Sequence, residues 1–264
     1  VIDPMEVIEK NSADAFRYYA TTCSLGEDNP FRSKDVIHGI RLLRKIWNAE
    51  SFLGNHLPDV KPKKPENLRK MDKWILSKYS KLVRNCTEQM DNFDFSKAMK
   101  NIEFFLWHEL ADHYIEMIKP FLYGKKSDDS IKYTIYTIGL GLLKLLSPFF
   151  PHITEELYHK YYKKFEGEKS IHVSKWPDEI LIDETVEEEG ERIKEIIASI
   201  RKWKAEQGMP LNKELEEVEI IIKQKLTGED KEYIKLPLRI KNLNVSSKFD
   251  LEEIITGVKF VYAN

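Results

Sequence analysis

The sequence predicts a mainly α protein, an antiparallel helical bundle followed by a small α+β domain. Three observations predict it. Apolar residues recur at helical spacing through about residue 200. Proline, glycine, serine, asparagine and aspartate interrupt that pattern often enough to fold successive helices back on one another. Beyond Gly208 the pattern changes to short strand-like runs. Hydrophobic residues make up 42% of the 264 positions and charged residues 33%, a balance that supports a packed core and excludes a disordered chain.

The elements follow in order. Asp3-Pro4-Met5-Glu6 combines a capping carboxylate, a proline at the first helical position and a glutamate three residues after the cap, and starts a short helix. A second helix begins near Ser12, carries Ala13, Phe16, Ala20 and Cys23 along one side and stops at Gly26. Ser33 is expected to cap a longer helix, with Val36, Ile40, Leu43 and Trp47 as its buried stripe and Gly54 as its end. His56 to Glu66, with Pro58, Pro62 and Pro65 among three lysines, reads as an extended linker. Four helical segments follow near 67–91, 94–119, 128–146 and 149–165, broken at Asn92-Phe93-Asp94, Pro120 to Ser127 and Ser147-Pro148; Trp47, Trp74, Trp107, Phe104 and Phe105 are assigned to their core. Ile171-His172-Val173 leads to Trp176-Pro177, after which the acidic run Asp183 to Glu191 opens a helix with Ile193, Ile196, Ile197 and Ile200 on one face. Strands are predicted at Glu217 to Ile222, Leu243 to Ser246 and Val258 to Tyr262, with helical stretches near 229–236 and 250–255. The expected division is 1–32 as connecting helices, 33–180 as the bundle and 181–264 as the last helix with the α+β tail.

Several function classes drop out on composition. The most apolar stretch, Ile135 to Phe150, is broken by Lys144, Ser147 and Pro148, so no membrane-spanning helix is expected. Two cysteines, Cys23 and Cys86, are too few for a disulfide framework and suit a reducing, cytoplasmic setting. A net charge of -2 does not by itself announce a nucleic-acid partner, so any such role must come from local clustering.

No catalytic or metal centre emerges from motifs. His108-Glu109-Leu110-Ala111-Asp112-His113 resembles a zinc motif, but its histidines are five apart, about 140° around an α-helix. Gly139-Leu140-Gly141 lies inside an apolar helix, where glycines serve close packing rather than phosphate binding. The third helix is more informative. Lys34, His38, Arg41, Lys45 and Asn48 form one polar stripe that Phe52 continues, and cations and amides ending in an aromatic ring can follow a phosphate backbone and stack an unpaired base. The same stripe could dock an acidic protein, and a solvated face is the plain alternative. A second basic patch, Arg201-Lys202-Trp203-Lys204, also reads as a helix C-terminus complementing its dipole.

Taken in order, these segments resemble class I aminoacyl-tRNA synthetases downstream of their catalytic domain, most closely the archaeal valyl type. VIDPMEVIEKNSADAFRYYA is similar to the stretch that follows the KMSKS signature, with Ser12 where the family usually has Gly and Phe16 where it has Leu. Arg41 to Ala49 (RLLRKIWNA), Trp107 to Glu116 (WHELADHYIE), Leu145 to Leu157 (LLSPFFPHITEEL), Ser170 to Val173 with Trp176-Pro177, and Ile200 to Asn212 (IRKWKAEQGMPLN) resemble later family motifs. The resemblance implies a tRNA-reading, C-terminal part of a longer, cytoplasmic and monomeric ligase that joins valine to its tRNA with ATP and Mg2+. It implies no cofactor, metal or catalytic residue in this stretch, which is expected to be inactive without the upstream catalytic domain. The expected partner is the anticodon loop of valine tRNA, with A in the middle anticodon position and C in the third; DNA and membranes are not expected partners. Arg41, Arg44, Lys45, Asn48 and Phe52 are the expected anticodon contacts, and Lys34, His38, Arg201 and Lys204 the expected backbone contacts. The isoleucyl or leucyl branch, or a helical protein-interaction module, are the alternatives.

Overall fold

The structure, a computed structural model, describes residues 3–23, 29–124, 128–223 and 225–246. It is a helical assembly with a small parallel sheet, as expected. Contacts divide it into one unit of Val1–Asp112 with Asp128–Ile182 and another of His113–Ser127 with Asp183–Asn264. This differs from the expected division in two places: the first helices belong with the bundle, and residues 113–127 belong with the tail.

In the first unit, α1 (Pro4–Lys10) is capped by Asp3, which accepts from the Met5 amide, and α2 (Ala13–Thr22) by Ser12. The expected stop at Gly26 lies outside the described residues. α3 spans Ser33–Asn55, with Ser33 as its first residue rather than its side-chain cap. α4 (Lys70–Asp91), α5 (Phe95–Phe104), α7 (Asp129–Leu146), α8 (Pro151–Tyr161) and the short α9 (Lys163–Glu166) complete the bundle. After α5 the chain winds as a π-helical segment, Phe105–Tyr114. Such i→i+5 winding is uncommon and frequently accompanies function.

The glycines of α7 are packing devices, as the sequence suggests. A Cβ at Gly141 would fall on the Tyr79 hydroxyl, and one at Gly139 on the Tyr162 hydroxyl. The buried side of α7 can therefore lie directly against two tyrosines that are themselves fully enclosed.

Two motifs far apart in sequence meet at the start of α8. Asp14 accepts from the amides of His152 and Ile153 at 3.3 and 2.8 Å, capping α8 from another helix. Arg17 donates to the Phe149 and Pro148 carbonyls at 2.9 and 2.6 Å. The segment 171–182 then runs along α4: the Trp176 indole donates to Thr87, Arg84 grips Glu179, and Ser80 Oγ accepts from the Ile180 and Leu181 amides.

In the second unit, α6 (Ile115–Tyr123) runs through Pro120 instead of ending there; one missing amide is tolerated on a helix whose apolar side is buried. α10 (Glu184–Glu206) is capped by Asp183, and α11 (Gly228–Leu238) by a Thr227/Asp230 capping box. Phe121 of α6 meets Tyr233 of α11 at 5.0 Å between ring centroids. β1 (Leu215–Ile221) pairs in parallel with β2 (Ile240–Ser246), Leu215 opposite Ile240 and Ile220 opposite Val245. The strand expected at Val258 to Tyr262 and the helix at 250–255 lie outside the described residues. Among the described residues no helix is long and apolar enough to cross a membrane.

Candidate nucleic-acid interface

α3 is rotated relative to the sequence expectation. Its buried residues are Val36, Gly39, Leu42, Ile46, Ala49, Glu50 and Leu53; Ile40 and Leu43 are only half-buried, and Trp47 is 37% exposed beneath the ammonium of Lys160. Small residues cause the rotation. A Cβ at Gly39 would meet Ala15 O and Tyr18 Cβ at 3.0 Å, so α2 presses against α3 there, at a position with no side chain to signal burial.

The outward face therefore centres on Lys34, Ile37, Arg41, Arg44 and Asn48, all exposed. Arg41, Arg44 and Asn48 have no hydrogen-bond or ion-pair partner among the described residues. His38, Lys45 and Phe52 lie on the flank of this face. His38 Nε2 is 2.6 Å from Glu103 Oε1, and its ring stacks on Tyr18 at 5.4 Å. Tyr18 donates its hydroxyl to the other oxygen of Glu103, and burial together with the Glu103 charge pushes that phenol up. Lys45 donates to Asp112 at 3.1 Å and lies 4.5 Å from the centre of the Trp107 ring. Phe52 is half-buried with its ring 4.6 Å from that of His56. His38 and Lys45 thus fasten the flank of α3 to α5 and the π-helical segment, and leave the exposed arginines to face solvent.

The inner side of α3 is held by a buried carboxyl. Glu50 is 1% exposed; Tyr162 donates its hydroxyl to Oε2 at 2.8 Å, and Oε1 has no partner among the described residues. Burial raises its pKa to about 8, so it is mostly protonated at neutral pH.

The second patch divides. Arg201 is half-buried and partnered within the structure. Lys204 corrects the expectation, because it is fully buried. Its ammonium donates to the carbonyls of Lys213, Leu238 and Leu211 at 2.6, 2.8 and 3.2 Å, which uses all three of its protons. It pins the loop after α10 and the end of α11, and offers nothing to a phosphate.

The aromatic assignment also divides. Trp74 and Phe105 are buried, whereas Phe104 is 56% exposed and Trp107 half-buried on the same side as Lys45. Phe104 and His108 are surface residues, whereas residue type alone predicts a core position for Phe104 and the local motif only a metal candidate for His108. Their ring centroids are 5.0 Å apart. Among the described residues no group of three or more His, Cys, Asp or Glu side chains gathers as a cation site. Burial pushes the Cys86 thiol up to about 12, which leaves it unreactive at neutral pH.

Residues 72–220 match the family model of the anticodon-binding domain of tRNA ligase. The valine–tRNA ligase of Pyrococcus furiosus is 38% identical over 99% of this chain and 30% of its own length, and that of Pyrococcus horikoshii 38% over 100% and 31%. The valine–tRNA ligase of Methanosarcina acetivorans is 40% identical over 87% of this chain and 27% of its own. The chain thus spans about 30% of the length of these curated relatives. A solved ternary complex of Agrobacterium radiobacter K84 agnB2 LeuRS with tRNA and LeuAMS matches 71% of this chain and 22% of that one, at TM-score 0.52 and 20% identity, a likeness of fold.

Proposed function

The chain belongs to the family of tRNA-ligase anticodon-binding domains, and from that premise we propose that α3 presents its outward face to the anticodon loop of valine tRNA within a valine–tRNA ligase. The observation that carries the reading is the contrast along one helix. Its inner face is locked by Tyr162, Tyr18 and a buried core, while Arg41, Arg44 and Asn48 point outward without partners among the described residues. Guanidinium forks suit phosphates and base edges, and an amide suits a Watson–Crick edge, so the face offers both positioning and base readout.

The whole protein would join valine to its tRNA with ATP and Mg2+, act as a monomer in the cytoplasm, and use regions outside residues 1–264 for the chemistry. The described residues contain no gathered cation ligands that could hold Mg2+. Asp14 and Arg17, which tie α2 to the start of α8, give the connecting helices a fixed seat on the bundle. They would form part of the path from anticodon to the upstream active site.

Arg41→Ala is expected to weaken valine tRNA binding about 10- to 100-fold, whereas the exposed control Lys175→Ala changes it little. Filter binding over a salt series checks both. The parent should lose affinity steeply with salt, and the Arg41 variant should show a shallower slope. Equal effects of the two substitutions would remove α3 from the interface, and a flat salt response would point to a protein partner.

A further inference from the structure

Phe104 is an exposed phenylalanine in a setting that does not leave it isolated. Its ring meets that of His108 at 5.0 Å and 51°, and both side chains are more than half exposed. His108 Nδ1 lies 3.7 Å from one oxygen of Asp112, whose other oxygen accepts from Lys45 of α3 at 3.1 Å. About two turns before Asp112, near the end of α5, Glu103 holds His38 of α3. These two ties fix the register: α3 from His38 to Lys45 runs beside the chain from Glu103 to Asp112. Arg41 and Arg44 therefore lie level with the stretch that carries Phe104, Trp107 and His108.

We propose that Phe104 and His108 form a stacking platform for an unpaired base of the same RNA loop that Arg41, Arg44 and Asn48 engage. The proposal rests on the anticodon-loop reading given above. Charge favours this occupant. Glu103 and Asp112 are each paired with a side chain of α3, His38 and Lys45, and Glu109 with Lys78, while the outward cations Arg41 and Arg44 are not paired among the described residues. The result is an aromatic step beside uncompensated positive charge, which suits a base attached to a phosphate chain. Every base offers a π-face, so the platform would hold a splayed base in place without reading it, and leave readout to the α3 side chains. The π-helical winding supports the arrangement by placing Trp107 under Lys45 while His108 remains outside.

The test uses the anticodon stem-loop of valine tRNA with 2-aminopurine at each loop position in turn, titrated with the parent chain and with Phe104→Leu, Phe104→Tyr and His108→Ala. In the parent one position should be strongly quenched on binding. Phe104→Leu, which keeps apolar bulk and has no ring, should lose that quench and bind about tenfold more weakly, and His108→Ala should weaken both. Phe104→Tyr should retain both. Unchanged thermal midpoints confirm that the variants are folded. If the parent binds the stem-loop and Phe104→Leu keeps both quench and affinity, the platform is wrong while the anticodon reading stands. If the parent binds no valine tRNA stem-loop at any salt, both fail.

Discussion

Replacing Lys204 with methionine is expected to destabilise the unit that contains α10, α11 and the sheet by about 3 kcal/mol or more. Methionine keeps most of the side-chain length, so the loss comes from the carbonyls of Leu211, Lys213 and Leu238, which lose a buried donor each. A buried acceptor left unsatisfied costs roughly 1–3 kcal/mol. Burial, with Arg239 and Arg201 nearby, holds the Lys204 pKa below its ordinary value. Some of the gross hydrogen-bond energy is therefore spent on enclosing the charge, and the expected loss stays at the lower end of three such penalties. Lys202 on the same helix is exposed, and Lys202→Met should change stability by no more than about 0.5 kcal/mol. Thermal unfolding of the two variants side by side checks this. An unchanged midpoint for Lys204→Met together with weakened, less salt-sensitive tRNA binding would return Lys204 to the surface role that the sequence suggested.

The second large effect belongs to Glu50 and appears as a pH dependence. Its carboxyl has a folded-state pKa of about 8, raised by burial, against an ordinary unfolded value of 4.5. Between these values the folded chain keeps a proton that the unfolded chain has lost. Stability therefore falls as pH rises through that window and levels off above about 8. Glu50 is bonded by the Tyr162 hydroxyl, whose phenol is pushed well up, first by burial and then by Glu50 itself, and does not titrate in the window. Glu50→Gln removes the ionisation and keeps the shape. Relative to its own value at pH 5, the variant should retain roughly 3–5 kcal/mol more stability at pH 8 than the parent does. Denaturant unfolding at the two pH values measures that difference, and any constant offset from the new amide cancels. Parallel pH profiles would show that the Glu50 carboxyl is ionised in the folded chain.

Much of the fold was legible because its signals are local. Asp3 caps its helix as expected, helices start beside Ser12 and Asp183 where the sequence begins them, and α4 and α7 begin and end within a few residues of expectation. What was not legible depends on partners. The contacts of Asp14 with Ile153 span 139 positions, and nothing in the local pattern announces them. The α3 stripe was rotated because hydrophobic periodicity weights large side chains, whereas α2 approaches α3 at Gly39. Trp47 and Phe104 were assigned to the core by residue type, although apolar character alone does not require burial. A surface position for Lys204 is expected for the converse reason, since a lysine is enclosed only where carbonyls converge on it, and here they come from the loop just after α10 and from the end of α11, 34 positions on.

On α3 the structure leaves Arg41 and Asn48 exposed, the one condition that an interface role for them requires. The structure moves Arg44 to the centre of the exposed face and shows His38 and Lys45 bound to Glu103 and Asp112. The signal that could have found Phe104 and His108 is their i, i+4 spacing with Asp112 continuing it, an amphipathic pattern with two aromatic rings on its polar side.

The most direct measurement of the central claim is a binding titration of this chain, at low and moderate salt, against valine tRNA and against the same tRNA carrying the isoleucine anticodon. Preference for the valine anticodon at both salts, together with a steep salt dependence, is the predicted result. Equal binding of the two tRNAs would contradict anticodon readout by α3, and binding of neither would contradict the proposed interface as a whole.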